Sequence, residues 1–107
     1  MENEFERVVV AAEYVTHHRQ LKIALSDGSE HFIPIDRLQM ERWNGSSIEA
    51  LPRPDDFQLE TVKVWGGGGS ILFPEIEQVF LAEDLVAGRY GDSKWMTEIA
   101  ADAVPVD

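Results

Sequence analysis

Cysteine is absent from the 107-residue chain. That excludes disulfides, thiolate zinc sites and a cysteine nucleophile. Basic residues are scarce: nine Lys and Arg stand against 20 Asp and Glu, a formal charge of −11. The deficit is uneven. Residues 1–53 hold nine acids and six bases, whereas residues 54–107 hold eleven and three, so the second half carries −8. Such a surface repels phosphate and works against direct nucleic-acid contact. It suits a basic partner protein, through an attraction that weakens with salt, although an acid excess also serves solubility with no partner at all. No apolar run approaches the ~18 residues of a membrane span, and no basic segment precedes an apolar stretch at the start. A soluble, cytoplasmic protein without membrane contact is expected.

Apolar residues make up 44% of the chain, which argues for a folded domain. Size scaling gives roughly 6,000 Å² of folded surface against about 17,500 Å² unfolded, enough for one core. The expectation is a single domain over residues 1–100, with 101–107 as a frayed tail. The β-branched run within Phe5–Thr16 reads as a strand, with a bulge or bend near Ala11-Ala12, and HHRQ at 17–20 as a tight connection. Leu21, Ile23 and Leu25 alternate with polar or small residues, a half-buried strand. Asp27-Gly28 is a hairpin signal. Its register is open: a two-residue turn pairs Ile23 with Phe32, and an odd-length loop puts Ile33 and Ile35 on the face of Leu21, Ile23 and Leu25. Pro34 marks a strand end or edge.

Asp36 is placed to cap a short helix over Arg37–Trp43, closed by Asn44-Gly45. Residues 44–58 read as a long loop with one turn of helix. Leu59–Trp65 and Ser70–Phe73 read as a second hairpin around Gly66–Gly69, stopped by Pro74. A helical piece follows around Ala82–Ala87, with Gly88 as its stop. Another covers 92–100, with Asp92 as cap and Trp95, Met96 and Ile99 at helical spacing. The fold class is α+β: two antiparallel hairpins plus an N-terminal strand, with short helices after each hairpin.

Several residues invite chemistry. A phosphate loop needs a helix and a lysine after its glycines; here a strand follows Gly66–Gly69, so the run is a hairpin tip, mobile or held by a partner. His17, His18 and His31 lack the spacing of a metal site. Glu75, Glu77, Glu83 and Asp84 cluster in sequence, but acid/base work requires an apolar pocket that the spacing does not demonstrate. No G-x-S-x-G elbow occurs. No catalytic residue, metal or cofactor is assigned. Trp65 abuts the glycines on the strand face opposite Val62 and Val64, so it is exposed if those valines face the core.

The ordered pieces L-K-I-A-L-S-D-G at 21–28, I-P-I at 33–35 with Leu38, V-K-V at 62–64, I-L-F-P-E-I at 71–76, L-V-A-G at 85–88, Tyr90-Gly91 and Trp95-Met96 carry a resemblance. Over residues 5–96 the chain resembles the bacterial domain-of-unknown-function family 2442. It departs from that pattern at Phe73, where tryptophan is common, at Glu77-Gln78-Val79, which are often acidic, and at Leu81, where a capping serine is usual. The resemblance implies a small α+β domain, often encoded beside another small protein in toxin–antitoxin-like arrangements, and brings no established enzymatic activity.

The expected function is thus a non-enzymatic protein-interaction module, antitoxin-like, for an unidentified and basic partner. Its contact residues are taken as Trp65, Gly66, Gly67, Gly68, Gly69, Glu75 and Glu77. Two alternatives stand beside it: a regulator acting on nucleic acid, and a small ligand-binding protein or enzyme with a buried pocket lined by Glu75, Glu77 or His31. Unpaired edge strands also leave a homo-oligomer open.

Overall fold

Two three-stranded antiparallel meanders, built from the first and second halves of the chain, carry the structure, a computed structural model that describes residues 7–103. The first comprises β1 (Val9–Val15), β2 (Gln20–Leu25) and β3 (Glu30–Pro34). The second comprises β6 (Lys63–Trp65), β7 (Ser70–Phe73) and β8 (Gln78–Leu81). A two-stranded ribbon, β4 (Glu41–Trp43) and β5 (Ile48–Ala50), lies between them in sequence, followed by α1 (Asp56–Leu59). Helices α2 (Ala82–Val86) and α3 (Ser93–Ala103) complete the α+β fold.

The core follows from strand alternation. Leu21, Ile23 and Leu25 on β2, with Ile33 on β3, bury one face of the first meander. Ile71 and Phe73 do the same on β7, where the Phe73 ring meets Phe80 edge-on at 6.1 Å. Val9, Ile35, Leu38, Met40, Leu59, Ile76, Ala82 and Leu85 join them in one continuous cluster.

The odd-length alternative holds at Asp27-Gly28. Leu21 pairs with Ile33 and Ile23 with His31, and the Leu25 N–H is bonded to the Ser29 carbonyl around a three-residue loop. Gly28 takes φ +91°, and Asp27 accepts from the Ser29 N–H and hydroxyl. The bulge in β1 falls at Val10, between the Val9–Leu25 and Ala11–Ala24 pairs, one residue before the expected place.

Four expectations are corrected. The strand expected over Leu59–Trp65 begins only at Lys63, because Leu59 ends α1 and is buried there. No helix spans Arg37–Trp43. A 3₁₀ turn over Ile35–Arg37 leads into extended chain, because Leu38 and Met40 are buried at a spacing of two. Asp36 caps nothing there and is taken by two guanidinium groups. Asn44-Gly45 does not end a helix: it is the β4–β5 turn, where the Asn44 side chain accepts from Ser46 and Ser47 N–H. The second hairpin gains a third strand, β8, within the segment read as leading into a helix.

Other signals hold. Asp55 and Gln58 form a reciprocal capping box on α1. Gly88 ends α2 at φ +81°, with Arg89 N–H to the Asp84 carbonyl and Gly88 N–H to that of Leu85, the Schellman pattern. Asp92 Oδ1 accepts from Trp95 N–H and starts α3. That helix, expected over 92–100, runs to Ala103. Residues 5–6 of the first expected strand and 104–107 of the expected tail lie outside the described residues.

Hairpin loops of four residues join β1 to β2, β6 to β7 and β7 to β8, each through a 3₁₀ turn. Gly66–Gly69 is one of them. Gly68 is buried at φ +98°, and a Cβ there would stand 2.8 Å from Val8 Cβ and 2.9 Å from the Val9 carbonyl oxygen. At Gly68 the loop thus packs against the start of β1 of its own chain. Gly67 has φ +68° but nothing within 4 Å of a Cβ. Chemical denaturation should separate the two: Gly67→Ala costs about 1 kcal/mol from backbone strain alone, and Gly68→Ala about 3 kcal/mol because β1 must also shift. Equal losses would show that the approach of β1 does not constrain this loop.

Candidate functional site

The outer face of the second meander is apolar and uncovered. Register places Trp65, Ser70 and Leu81 in one row across the three strands, and Lys63, Leu72 and Val79 in the next. Trp65, Leu81 and Val79 remain 50%, 51% and 52% exposed, and Leu72 is half-buried. Lys63 Nζ sits 5.7 Å from the Trp65 ring centroid. The outer face of the first meander is mixed, with Phe32, opposite Lys22, 52% exposed. Lys22 on its outer face pairs with Glu13 at 3.6 Å and Glu30 at 3.5 Å, a charged ladder suited to water. Beyond the β8 edge the apolar face continues into a shallow groove of about 310 Å³, bordered by Asp84, Arg89 and Tyr90.

Trp65 is exposed, as its position opposite Val62 and Val64 implies, and the glycine loop starts beside it. Gly66, Gly67 and Gly69 face solvent, Gly68 is buried, and the Gly69 carbonyl accepts from Ala82 N–H at 2.9 Å. That bond serves an otherwise unpaired donor at the start of α2, where Leu81 supplies no side-chain cap. Glu75 and Glu77 lie in the β7–β8 loop, at the other end of β7, roughly 10 Å or more along the strand. The expected contact residues therefore fall into two groups.

Glu75 and Glu77 border a different feature, an open groove of about 550 Å³ shared with Glu41, Trp43, Arg53 and Gln58. The Gln78 side chain fixes one wall: its amide donates to the Glu41 carbonyl at 2.9 Å and its oxygen accepts from Glu41 N–H at 3.3 Å. Trp43 is 64% exposed and lies opposite Ile48 on the ribbon. Both glutamates are exposed, so the groove is not the buried pocket that acid/base chemistry would use.

The strongest polar cluster was missed by sequence reasoning. Asp36 receives Arg19 Nε at 3.1–3.2 Å and Nη2 at 2.9 Å, and on its other side Arg53 Nε at 3.2 Å and Nη2 at 3.1 Å. Arg19 Nη2 also donates to the Pro54 carbonyl at 3.0 Å, and its Nη1 lies 3.6 Å from Asp56. The Tyr14 hydroxyl donates to Asp56. Desolvation, then that bond to a carboxylate, pushes the Tyr14 hydroxyl up to about 12. The Arg19 and Arg53 hydrogen bonds hold Asp36 down to about 2. The cluster pins the 53–56 segment across the end of the first meander. Its partners stand 17 residues apart on either side of Asp36, with no local signal.

His17 and His18 lie on the exposed β1–β2 turn with their rings edge-on at 5.6 Å, and His31 meets the Ser29 hydroxyl. Among the described residues no three His, Asp or Glu side chains gather as a metal site requires. Among the same residues no helix is long and apolar enough to cross a membrane.

No protein-family model and no curated protein matches the chain. The crystal structure of a protein of unknown function from Rhodospirillum rubrum is similar, with a TM-score of 0.67 and 23% sequence identity, over 85% of this chain and 98% of that one. The likeness shows a shared fold.

The Asp36 cluster sets an acid limit on stability. An unfolded aspartate titrates near about 3.9. Since the folded value is lower, the stabilisation is complete above that pH and drains away as pH falls toward 2. Asp36→Asn should cost about 1 kcal/mol at neutral pH, a modest figure because the carboxylate is half exposed. Its stability should also fall less steeply than wild type between about pH 4 and 2. Asp27, held down to about 2 chiefly by the Ser29 hydroxyl, keeps part of the decline in both proteins. Parallel acid profiles for the two proteins would refute the assignment.

Proposed function

We propose that this chain is a non-enzymatic protein-interaction module that binds a basic partner protein, in the manner of the antitoxin-like member of a two-protein pair in the cytoplasm. The observation that carries the reading is the uncovered apolar face holding Trp65, Leu72, Val79 and Leu81 in the half of the chain with charge −8. An exposed tryptophan among aliphatic side chains is the usual core of a protein contact, and unpaired carboxylates around it select partners of opposite charge. The sequence resemblance to family 2442, whose members often accompany a second small protein, agrees with this reading. The charge balance disfavours phosphate backbones as the target.

Affinity capture with the tagged chain in its native host tests the proposal. A protein of basic composition should co-purify at ~50 mM salt and be largely lost at ~500 mM, because contacts between exposed charges are screened. Recovery of no protein at either concentration contradicts it. So does a gel shift of nucleic acid by the purified chain alone at ~150 mM salt.

A further inference from the structure

The geometry points to a specific occupant for the outer face of β6–β7–β8: one amphipathic helix of a partner, with leucine-like residues on the sheet and Lys or Arg at its margins. This rests on the interaction reading above and deepens it by naming the face and the partner's chemistry.

The face is the flat side of a sheet, with side chains rather than free backbone groups presented to the partner. Elements that cover sheet faces are helices or other sheets. Three strands at about 4.8 Å spacing, with two outward residues on each, make a platform roughly 10–14 Å across. One helix, about 10 Å in diameter, spans it. The two rows, Trp65–Ser70–Leu81 and Lys63–Leu72–Val79, put three bulky apolar groups around the small Ser70, a shallow seat for a helical side chain.

Charge decides between a second copy and a foreign helix. Glu60 precedes β6 by three positions and Glu83 lies in the first turn of α2, both exposed and neither in an ion pair among the described residues. The nearby Arg89 is already held by Asp84 at 2.9 Å. Lys63, over the Trp65 ring, is the one cation within the two rows. A second copy would set two such acidic margins against each other. A helix with basic flanks meets them with opposite charge, and its long side chains cover apolar surface with their stems while their ends reach the carboxylates.

The probe is a synthetic amphipathic Leu/Lys helix of about 18 residues, labelled and titrated with the full chain by fluorescence anisotropy, with a Leu/Glu helix of the same pattern beside it. Micromolar binding of the Leu/Lys helix and none of the Leu/Glu helix is expected. Val79→Asp and Leu81→Asp should each weaken binding at least 10-fold, and Trp43→Ala, in the separate groove, less than about 2-fold. These positions are exposed, and circular dichroism checks that each variant keeps its fold. Equal binding by both helices, no loss in the β8 variants, or loss on Trp43→Ala overturns the inference. So does a dimer in sedimentation that Leu81→Asp dissociates, since a second copy would then be the occupant. If affinity capture still recovers a basic protein with the Leu81→Asp chain, this inference fails while the interaction reading stands; if no protein is recovered even by the unaltered chain, the interaction reading itself fails.

Discussion

Alternation gives a β-strand two unlike sides, and a chain this small has one core to offer them. Leu21, Ile23, Leu25 and Ile33 spend the inner side of the first meander on that core, and Ile71 and Phe73 spend that of the second. At roughly 25 cal/mol per Å² of apolar surface, burial on this shared face is the main favourable term in folding. Everything else in the structure is arranged around it. Among the described residues no polar or charged side chain is buried, so the core contains no internal charge to stabilise. The ion pairs, including the Arg19–Asp36–Arg53 cluster, lie at its margin and fix loops to strands.

The same constraint makes the two outer sides informative. Nothing in the folding of a three-stranded meander requires its outer side to be apolar. The first meander carries Glu13, Lys22 and Glu30 there beside the single exposed Phe32, and the second carries Trp65, Leu72, Val79 and Leu81 together. Folding accounts for the inner rows and leaves this outer row unexplained, which is why the functional reading is placed on it. The glycine loop has a structural role beside it: Gly68 lets β1 approach, and the Gly69 carbonyl receives the first helical N–H of α2.

How far the fold could be read from the sequence depended on how local the cause was. Gly88 at a helix stop, Asp92 at a helix start and the alternation of β2 act within a few residues, and each stands where the sequence put it. The Asp27-Gly28 turn was legible, while its register needed the core to choose between Phe32 and Ile33. The stretch 37–43 misled because Asp36 resembles a cap and Arg37–Glu41 a helical pair, whereas the burial of Leu38 and Met40 two residues apart required extended chain. Strands of three or four residues, such as β4, β5 and β8, are too short to show a period. The candidate site was legible in Trp65 alone. Its neighbours on the face come from cross-strand register, and the Asp36 cluster from contacts across the fold; neither leaves a pattern in the linear sequence.

The central claim is that both meanders share one core and form one cooperative unit. Native-state hydrogen exchange of the amides of Ile23 and Ile71, one from each meander and both fully buried, tests it most directly. The account predicts the same opening free energy at both, equal to that of global unfolding. Exchange of one meander at a clearly lower free energy, with the other still protected, would mean two separable halves and would contradict it.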